Sequence, residues 1–168
     1  MIYPTKRVPI RPHRPIEDTL LIMARLVRAK RDHQVVREMG TSIAAGCPPL
    51  DDVCRMRRAR AWVAGALRYE KDPRGADLLQ DPVMLIEKIQ RQGSAAADCD
   101  DSSLLLSTLL ETVGIQTRFA AISTRPDKKL HHVAVEAKDG RTGRWHWLDG
   151  FSGRLQVPPT SATMRVNV

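Results

Sequence analysis

Aromatic residues are scarce in this chain of 168 residues, of which Phe, Trp and Tyr together make up only 4%. Hydrophobic residues nevertheless account for 42%, so the sequence predicts a core built mainly from Leu, Val, Ile, Met and Ala. Few aromatic residues also leave few rings on which bases could stack, and this argues against a protein that binds single-stranded nucleic acid. The length is that of one domain.

Long apolar runs are missing as well. No stretch approaches the ~18 consecutive apolar residues of a membrane-spanning helix, so we expect no membrane span. Residues 1–19 carry charges but no apolar segment, so we expect no secretory signal peptide. Both absences favour a cytoplasmic protein.

Cysteine is rare and irregularly spaced. The chain has three cysteines, Cys47, Cys54 and Cys99. Because this number is odd and no C-x-x-C motif is present, neither a disulfide framework nor a zinc site is predicted. Cys47 and Cys54 could pair with each other, but we expect free thiols and a reducing compartment. The aspartates around Cys99 lack the glycine and the distal glutamate of a calcium loop. We therefore expect neither a metal nor another cofactor.

The positive charge is concentrated at one end of the chain. Residues 1–60 contain 13 Lys and Arg against 6 Asp and Glu, whereas residues 61–168 contain 14 against 13. Four prolines within residues 1–15 favour an extended arm, because proline removes a backbone donor. A basic arm followed by a basic helix, residues 1–40, predicts either a solvated surface or a contact with an acidic protein assembly, a membrane face or nucleic acid. The shortage of aromatic residues makes nucleic acid the weakest of these partners.

The apolar pattern predicts helices first and strands afterwards. Apolar residues recur at helical spacing in four segments: 16–39 with a stop at Gly40, Asp51 to about Tyr69, 82–89, and a leucine-rich segment from Asp98 to Gly114. Asp51 and Asp98 can cap the helices that they begin, and Gly114 lies where a left-handed residue is expected at a helix end. The small residues 93–97 indicate a loop. Three later segments alternate like strands: 115–122, 131–137 and 144–150. This order predicts the α+β class, with N-terminal helices packed on a small antiparallel β-sheet.

Cys99 begins the leucine-rich helix within the sequence DCDD, and this position suits a nucleophile. A helix N-terminus stabilises a thiolate through its free N–H groups and its macrodipole, and the same N–H groups can hold an oxyanion. Neighbouring carboxylates oppose this effect, because they disfavour the thiolate. An imidazolium close to the sulfur would therefore be needed. The alternative is that Cys99 is simply a small buried side chain.

His132 is the histidine best placed for that role. In the predicted strand 131–137 it points away from the valine-rich side, which we expect to face the core. A four-residue hairpin loop at 139–142 would place His132 directly opposite Asp149, whose carboxylate could then orient the ring. A loop longer or shorter by one residue would place Asp149 on the wrong face. Taken singly, His132 could be a core histidine and Asp149 the start of a turn.

Four motifs, in this order, resemble the transglutaminase-like superfamily, a papain-like group of cysteine enzymes: DCDDSSLLLSTLLETVGI, QTRFA, HVAVEA and WHWLDG. The resemblance extends from about Asp51 to Gly150, and within the superfamily the chain is similar to short bacterial and bacteriophage members. It implies a papain-like core in which Cys99 is the nucleophile, His132 the general base and Asp149 the orienting acid.

On this basis we expect three segments along the chain. Residues 1–15 would form an extended arm, residues 16–50 a basic helix with its loop, and residues 51–168 a transglutaminase-like domain. The implied activity is hydrolysis of an amide bond in a protein or peptide, since nothing suggests an amine site for transamidation. An alternative from another class is a structural protein of a phage virion or tail, which would use the fold as a scaffold and dock through its arm. A papain-like cell-wall endopeptidase is a third interpretation, although the WLDG motif fits the transglutaminase-like pattern better.

Overall fold

Helices and strands both contribute to the computed structural model, which describes residues 7–10, 16–73, 77–152 and 156–168. The helices are α1 (Ile16–Lys30), α2 (Gln34–Ala44), α3 (Asp52–Ala66), α4 (Pro82–Gln92) and α5 (Cys99–Thr112). The strands are β1 (Arg7–Ile10), β2 (Leu67–Tyr69), β3 (Asp77–Gln80), β4 (Ala95–Ala97), β5 (Thr117–Ser123), β6 (His132–Lys138), β7 (Trp145–Leu148) and β8 (Ala162–Asn167). The predicted α+β class is confirmed. No helix within the described ranges combines the length and the apolar character that a membrane crossing requires.

Helix α5 is the central element of the core. Every residue from Asp101 to Leu110 is buried, whereas a surface helix buries only one face. The helix contacts α1, α2, α3 and α4, and it also packs against β6 of the largest sheet. Burial on all sides fixes the position of its N-terminus, where Cys99 lies.

The largest sheet has the strand order β7-β6-β5-β8, and all its neighbouring strands are antiparallel. The predicted meander of β5, β6 and β7 is confirmed. Sequence analysis misses β8, which pairs with β5 at the other edge. Met164 and Val166 of β8 pack against the core, while Arg165 between them is exposed. Such a short amphipathic segment gives only a weak local signal.

The hairpin between β6 and β7 has a longer loop than predicted. Lys138 pairs with Trp145, whereas the predicted four-residue loop would pair it with Gly143, two residues earlier in the chain. The side chain of Asp139 accepts hydrogen bonds from two residues of the loop and stabilises it. The prediction that His132 lies directly opposite Asp149 is therefore wrong. A shift by two residues nevertheless keeps each side chain on its predicted face of the sheet.

The predicted helix 16–39 is in fact two helices, α1 and α2. His33 separates them, because its backbone is extended and its side chain caps α2 by accepting a hydrogen bond from the N–H of Val35. Gly40, expected as a helix stop, lies inside α2. A Cβ at Gly40 would lie 2.4 Å from Cγ2 of Thr112, so the glycine lets α2 pack closely against α5.

A small parallel sheet forms from two segments of which one was expected to be the end of a helix and the other a loop. Strand β2 follows α3 directly and ends at Tyr69, where the helix was predicted to end. It pairs with β4, in the predicted loop 93–97, and Tyr69 lies beside Ala97. The N–H of Glu70 extends the pairing by donating to the carbonyl of Ala97 at 2.9 Å. This pairing brings Tyr69 next to the segment that leads into Cys99.

The proline-rich N-terminal segment also takes part in a sheet. Arg7–Ile10 form β1, which pairs antiparallel with β3, so the prediction that proline keeps this segment out of sheets is wrong. Pro9 lies in a two-stranded sheet, in which each strand has an open edge and a missing N–H is tolerated. The rest of the predicted arm, 1–6 and 11–15, lies outside the described residues.

Cys47 and Cys54 form a disulfide, with their Cα atoms 5.7 Å apart. Asp51 caps α3 through the N–H of Cys54, so the start of α3 turns back toward the loop that carries Cys47. The prediction of free thiols is wrong for this pair. The cysteines therefore no longer support a reducing compartment, because disulfides persist mainly in oxidising surroundings. Cys99 is a free thiol.

Candidate active site

Cys99 lies in the first turn of α5, immediately after the residue that caps the helix. That residue is Asp98, whose carboxylate accepts hydrogen bonds from the N–H groups of Asp100 and Asp101 at 3.0 and 3.1 Å. The expectation that Asp98 caps this helix is confirmed. The cap does not use the N–H of Cys99 itself, so an oxyanion formed next to the sulfur could accept a hydrogen bond from it.

Contacts between α5 and β6 place the sulfur next to the strand that carries the histidine. Oγ of Ser103 donates a hydrogen bond to the carbonyl of Val133 at 3.0 Å. The N–H of Val133 also acts on the Cys99 thiol as a hydrogen-bond donor that favours the thiolate. Val133 directly follows His132. The fold therefore brings together the first residues of α5 and of β6.

The surroundings of the Cys99 thiol nevertheless favour its protonated form. Burial raises the pKa of the thiol far above its usual value, and the charge of Asp100 raises it further. The N–H of Val133 opposes this shift but does not cancel it. Sγ of Cys99 donates a hydrogen bond to Oδ1 of Asp100 at 3.6 Å. Burial and the carboxylates thus oppose the effect that a helix N-terminus has on a thiolate, and deprotonation calls for a base.

The other two aspartates of the DCDD motif attach the helix to its surroundings. Burial and the charges of Asp100 and Asp101 raise the pKa of Asp98 to about 7. Asp101 is 2% exposed and accepts hydrogen bonds from the backbone N–H and from Nε2 of Gln80, at 2.8 and 2.6 Å. Burial raises the pKa of Asp101 in spite of these bonds. Among the residues that the structure describes, no group of three or more His, Cys, Asp and Glu side chains is arranged to hold a metal.

His132 and Asp149 are in direct contact, with Nε2 of His132 2.7 Å from Oδ2 of Asp149. Asp149 is 5% exposed, and its Oδ1 accepts hydrogen bonds from the N–H groups of Phe151 and Ser152. Burial opposes ionisation of Asp149, but the hydrogen bonds from His132 and from the two N–H groups outweigh it and hold the pKa of this carboxyl well below its usual range. A charged carboxylate requires a proton on Nε2, which leaves Nδ1 of His132 available to the thiol.

The contact forms without the predicted strand pairing. Strand β7 ends at Leu148, and Asp149 follows it at the start of a turn instead of lying opposite His132. The two side chains still meet because they are on the same side of the sheet. The structure thus brings together two of the three residues proposed from sequence, and it places the third, Cys99, beside the residue that follows His132.

Arg60 of α3 holds the backbone of Asp149. Its Nε donates a hydrogen bond to the carbonyl oxygen of Asp149 at 3.0 Å. A Cβ at Gly150 would lie 2.9 Å from both Cβ and Oγ of Ser102, so the glycine lets this turn approach α5 closely. Sequence analysis misses Arg60, because a contact across 89 positions leaves no local pattern.

An aromatic pair joins strand β2 to the turn after β7. The rings of Tyr69 and Phe151 meet edge to face, with their centroids 5.3 Å apart. Partial burial and the charges of Cys99, Asp98 and Asp100 raise the pKa of the Tyr69 hydroxyl, so the phenol lies within the electrostatic influence of the helix start. Sequence analysis misses this pair, because the preceding helix is expected to continue to Tyr69.

The family model described as the transglutaminase-like superfamily matches residues 39–150. The chain belongs to this superfamily. The prediction of a papain-like core of the transglutaminase-like type is therefore confirmed. No curated protein is significantly similar to the sequence.

Three solved structures share the fold at low sequence identity. A candidate protease of Parabacteroides distasonis ATCC 8503 is 13% identical, with a TM-score of 0.63 over 89% of this chain and 28% of its own. A candidate cysteine protease of Cytophaga hutchinsonii is 16% identical, with a TM-score of 0.51 over 92% of this chain and 50% of its own. LapG of Legionella pneumophila is 16% identical, with a TM-score of 0.52 over 81% of this chain and 75% of its own. The transglutaminase-like protein thus spans half or less of the first two relatives, and at these identities the likeness shows the fold alone.

Proposed function

We propose that this transglutaminase-like protein is a cysteine-dependent hydrolase of amide bonds in proteins or peptides. Cys99 is the nucleophile, His132 the general base, and Asp149 the group that orients the imidazole. The distance of 2.7 Å between Nε2 of His132 and Oδ2 of Asp149 carries the proposal, because this contact leaves the other ring nitrogen for the thiol at the start of α5. The likeness of the fold to two candidate proteases agrees with it.

The neutral thiol determines how the first step begins. Nδ1 of His132 accepts the proton of Sγ while the sulfur attacks the carbonyl carbon of the substrate, so no preformed thiolate is required. The carboxylate of Asp149, which stays charged in its buried position, stabilises the resulting imidazolium. The carbonyl oxygen becomes an oxyanion, and the N–H of Cys99 at the positive end of α5 stabilises it.

The tetrahedral intermediate collapses when the imidazolium of His132 gives its proton to the leaving amine. The carbon–nitrogen bond breaks, and the acyl group stays on Cys99 as a thioester. His132 then removes a proton from water, which attacks the thioester and releases the acid and the thiol. Water is a sufficient acceptor in this scheme, whereas transamidation would require a bound amine.

Variants of Cys99 and His132 test the assignment, with a variant of His131 as the control. We expect Cys99→Ala and His132→Ala to reduce cleavage of denatured casein by roughly a thousandfold or more, because each removes a reacting group. His131→Ala is the matched control, since His131 is adjacent and exposed, and its ring contacts Thr124. Mass spectrometry would follow both the released peptides and the mass of an acyl group on Cys99.

Equal cleavage by the wild-type protein and by Cys99→Ala would contradict the proposal. A folded protein that cleaves no member of a broad peptide library, and whose Cys99 no peptide electrophile acylates, would also contradict it. That result would favour the scaffold alternative, in which the fold serves a phage virion or tail through the basic residues 1–40. Incorporation of dansylcadaverine into casein in place of cleavage would indicate an acyl transferase.

A further inference from the structure

The proposed chemistry makes no use of the aromatic pair formed by Tyr69 and Phe151. Tyr69 is 62% exposed, although it forms an edge-to-face contact with Phe151. Phe151 is only partly buried and packs at the margin of the core. Exposed aromatic surface next to a reactive group is typical of a ligand site, because a bound apolar group removes that surface from water.

The two rings connect the two halves of the candidate site. Tyr69 ends β2 beside Ala97, two residues before Cys99. Phe151 lies two residues after Asp149 and donates its N–H to that carboxylate at 2.9 Å. One ring thus belongs to the segment that positions the nucleophile, and the other belongs to the turn that orients the base. A peptide held for attack by Cys99 would pass close to both rings.

We infer that Tyr69 and Phe151 form a subsite for an apolar side chain of a peptide, next to the amide bond that Cys99 attacks. This inference rests on the proposed hydrolase function and specifies its substrate class. An aliphatic or aromatic side chain would bury surface against the rings. The carboxylates of Asp98 and Asp100 lie at the same helix start and repel an acidic side chain.

Peptide reagents that alkylate the thiol measure this subsite separately from turnover. The probes are the chloromethyl ketones of acetyl-phenylalanine, acetyl-leucine and acetyl-aspartate, and iodoacetamide, which carries no side chain. Each alkylation rate is divided by the iodoacetamide rate of the same variant, so that differences in thiol reactivity cancel. We expect the Phe and Leu reagents to react with Cys99 at least roughly tenfold faster than the Asp reagent.

Variants of Tyr69 then assign the preference to the ring. We expect Tyr69→Ala to reduce the preference for the Phe and Leu reagents by roughly tenfold, because it removes the aromatic surface. Tyr69→Phe keeps the ring and should keep the preference. Leu21→Ala is the control, since Leu21 is another exposed apolar residue, 41% exposed, on α1.

Four results would overturn the subsite. The first is the same preference in the wild-type protein and in Tyr69→Ala. The second is a loss of preference in Tyr69→Phe as large as that in Tyr69→Ala, because the hydroxyl would then be responsible. The third is reaction with all three peptide reagents at one rate, which would leave the hydrolase proposal intact. A Cys99 that reacts with iodoacetamide but with no peptide reagent would overturn the subsite and the hydrolase proposal together.

Discussion

At the residue scale, Cys99 begins a helix, but burial and the charge of Asp100 raise the pKa of its thiol and so oppose the effect of the helix macrodipole. The DCDD motif therefore does not supply a preformed thiolate. In the mechanism proposed above, His132 has to remove the proton during attack. The conflict between macrodipole and carboxylates can be predicted from the sequence. Its outcome cannot, because the burial of the sulfur depends on contacts with β6.

Replacement of Asp100 by asparagine should make the thiol more reactive. Among the charges near the sulfur, that of Asp100 raises the pKa of Cys99 most. Asp100→Asn removes it, so we expect alkylation by iodoacetamide at pH 8 to become roughly tenfold faster. The rate of alkylation measured against pH reports the thiol pKa. Asp18→Asn, in the first turn of α1, is the control, and an unchanged profile for Asp100→Asn would mean that burial alone raises the pKa.

At the scale of elements, three parts of the chain converge on the turn after β7. Strand β6 contributes His132, helix α3 contributes Arg60, and helix α5 packs against Gly150. The shifted register of the hairpin moves Asp149 away from the position opposite His132, and these contacts hold it within reach of the histidine ring. We therefore infer that Arg60 is a positioning residue.

Loss of the Arg60 hydrogen bond should affect turnover more than substrate binding. We expect Arg60→Gln to lower kcat for peptide cleavage by roughly tenfold with little change in KM, because in the proposed mechanism the carboxylate of Asp149 orients a reacting group and does not bind substrate. The proton resonance of the bond between His132 and Asp149 should shift in the NMR spectrum of the variant.

Arg58→Gln is the matched control for Arg60, since Arg58 lies on the same helix and donates to the carbonyl of Ile43 at 2.7 Å. If both variants lose activity equally, the effect reflects the stability of α3 in general. An unchanged resonance together with unchanged kcat in Arg60→Gln would exclude the positioning role.

At the scale of the whole molecule, the N-terminal helices and helix α5, which carries Cys99, share one apolar core. Leu20 and Met23 of α1 and Val36 of α2 are fully buried in the same cluster as Leu109 of α5. The start of α5 is therefore held by the packing of the entire fold. A change in charge at this position should consequently be detectable in the global stability.

Asp98 should make that stability depend on pH. Burial and the neighbouring carboxylates raise its pKa to about 7 in the folded protein, against about 3.9 for an unperturbed aspartate. The folded protein thus binds the proton more tightly than the unfolded chain does. The contribution of Asp98 to the free energy of unfolding is therefore full at acidic pH, falls as the pH rises and is lost above about pH 7.

The variant Asp98→Asn tests this dependence, because asparagine can cap the helix but cannot ionise. Relative to the wild-type protein, we expect the variant to gain roughly 2–3 kcal/mol in the free energy of unfolding between pH 5 and pH 8. Urea denaturation of both proteins at several pH values measures the difference. Parallel stability curves would show that the pKa of Asp98 does not change on folding.

The sequence by itself determined helix α5 and strand β6, which carry Cys99 and His132, because these elements follow from local periodicity and from capping residues. Asp51 and Asp98 cap their helices as predicted, and Gly114 has the positive φ of 83° expected after α5. Local position also identified Cys99 at a helix start and His132 on a strand as candidates for the chemistry.

Only the tertiary structure decided how these elements meet. The pairing of the β6–β7 hairpin depends on the loop that Asp139 stabilises, and the disulfide depends on how the chain turns before α3. The contacts of Arg60 and Tyr69 join residues that are far apart in the sequence. The raised pKa of the Cys99 thiol likewise follows mainly from burial. Local patterns do not encode these properties, because each is a sum of interactions that exist only once the core has packed.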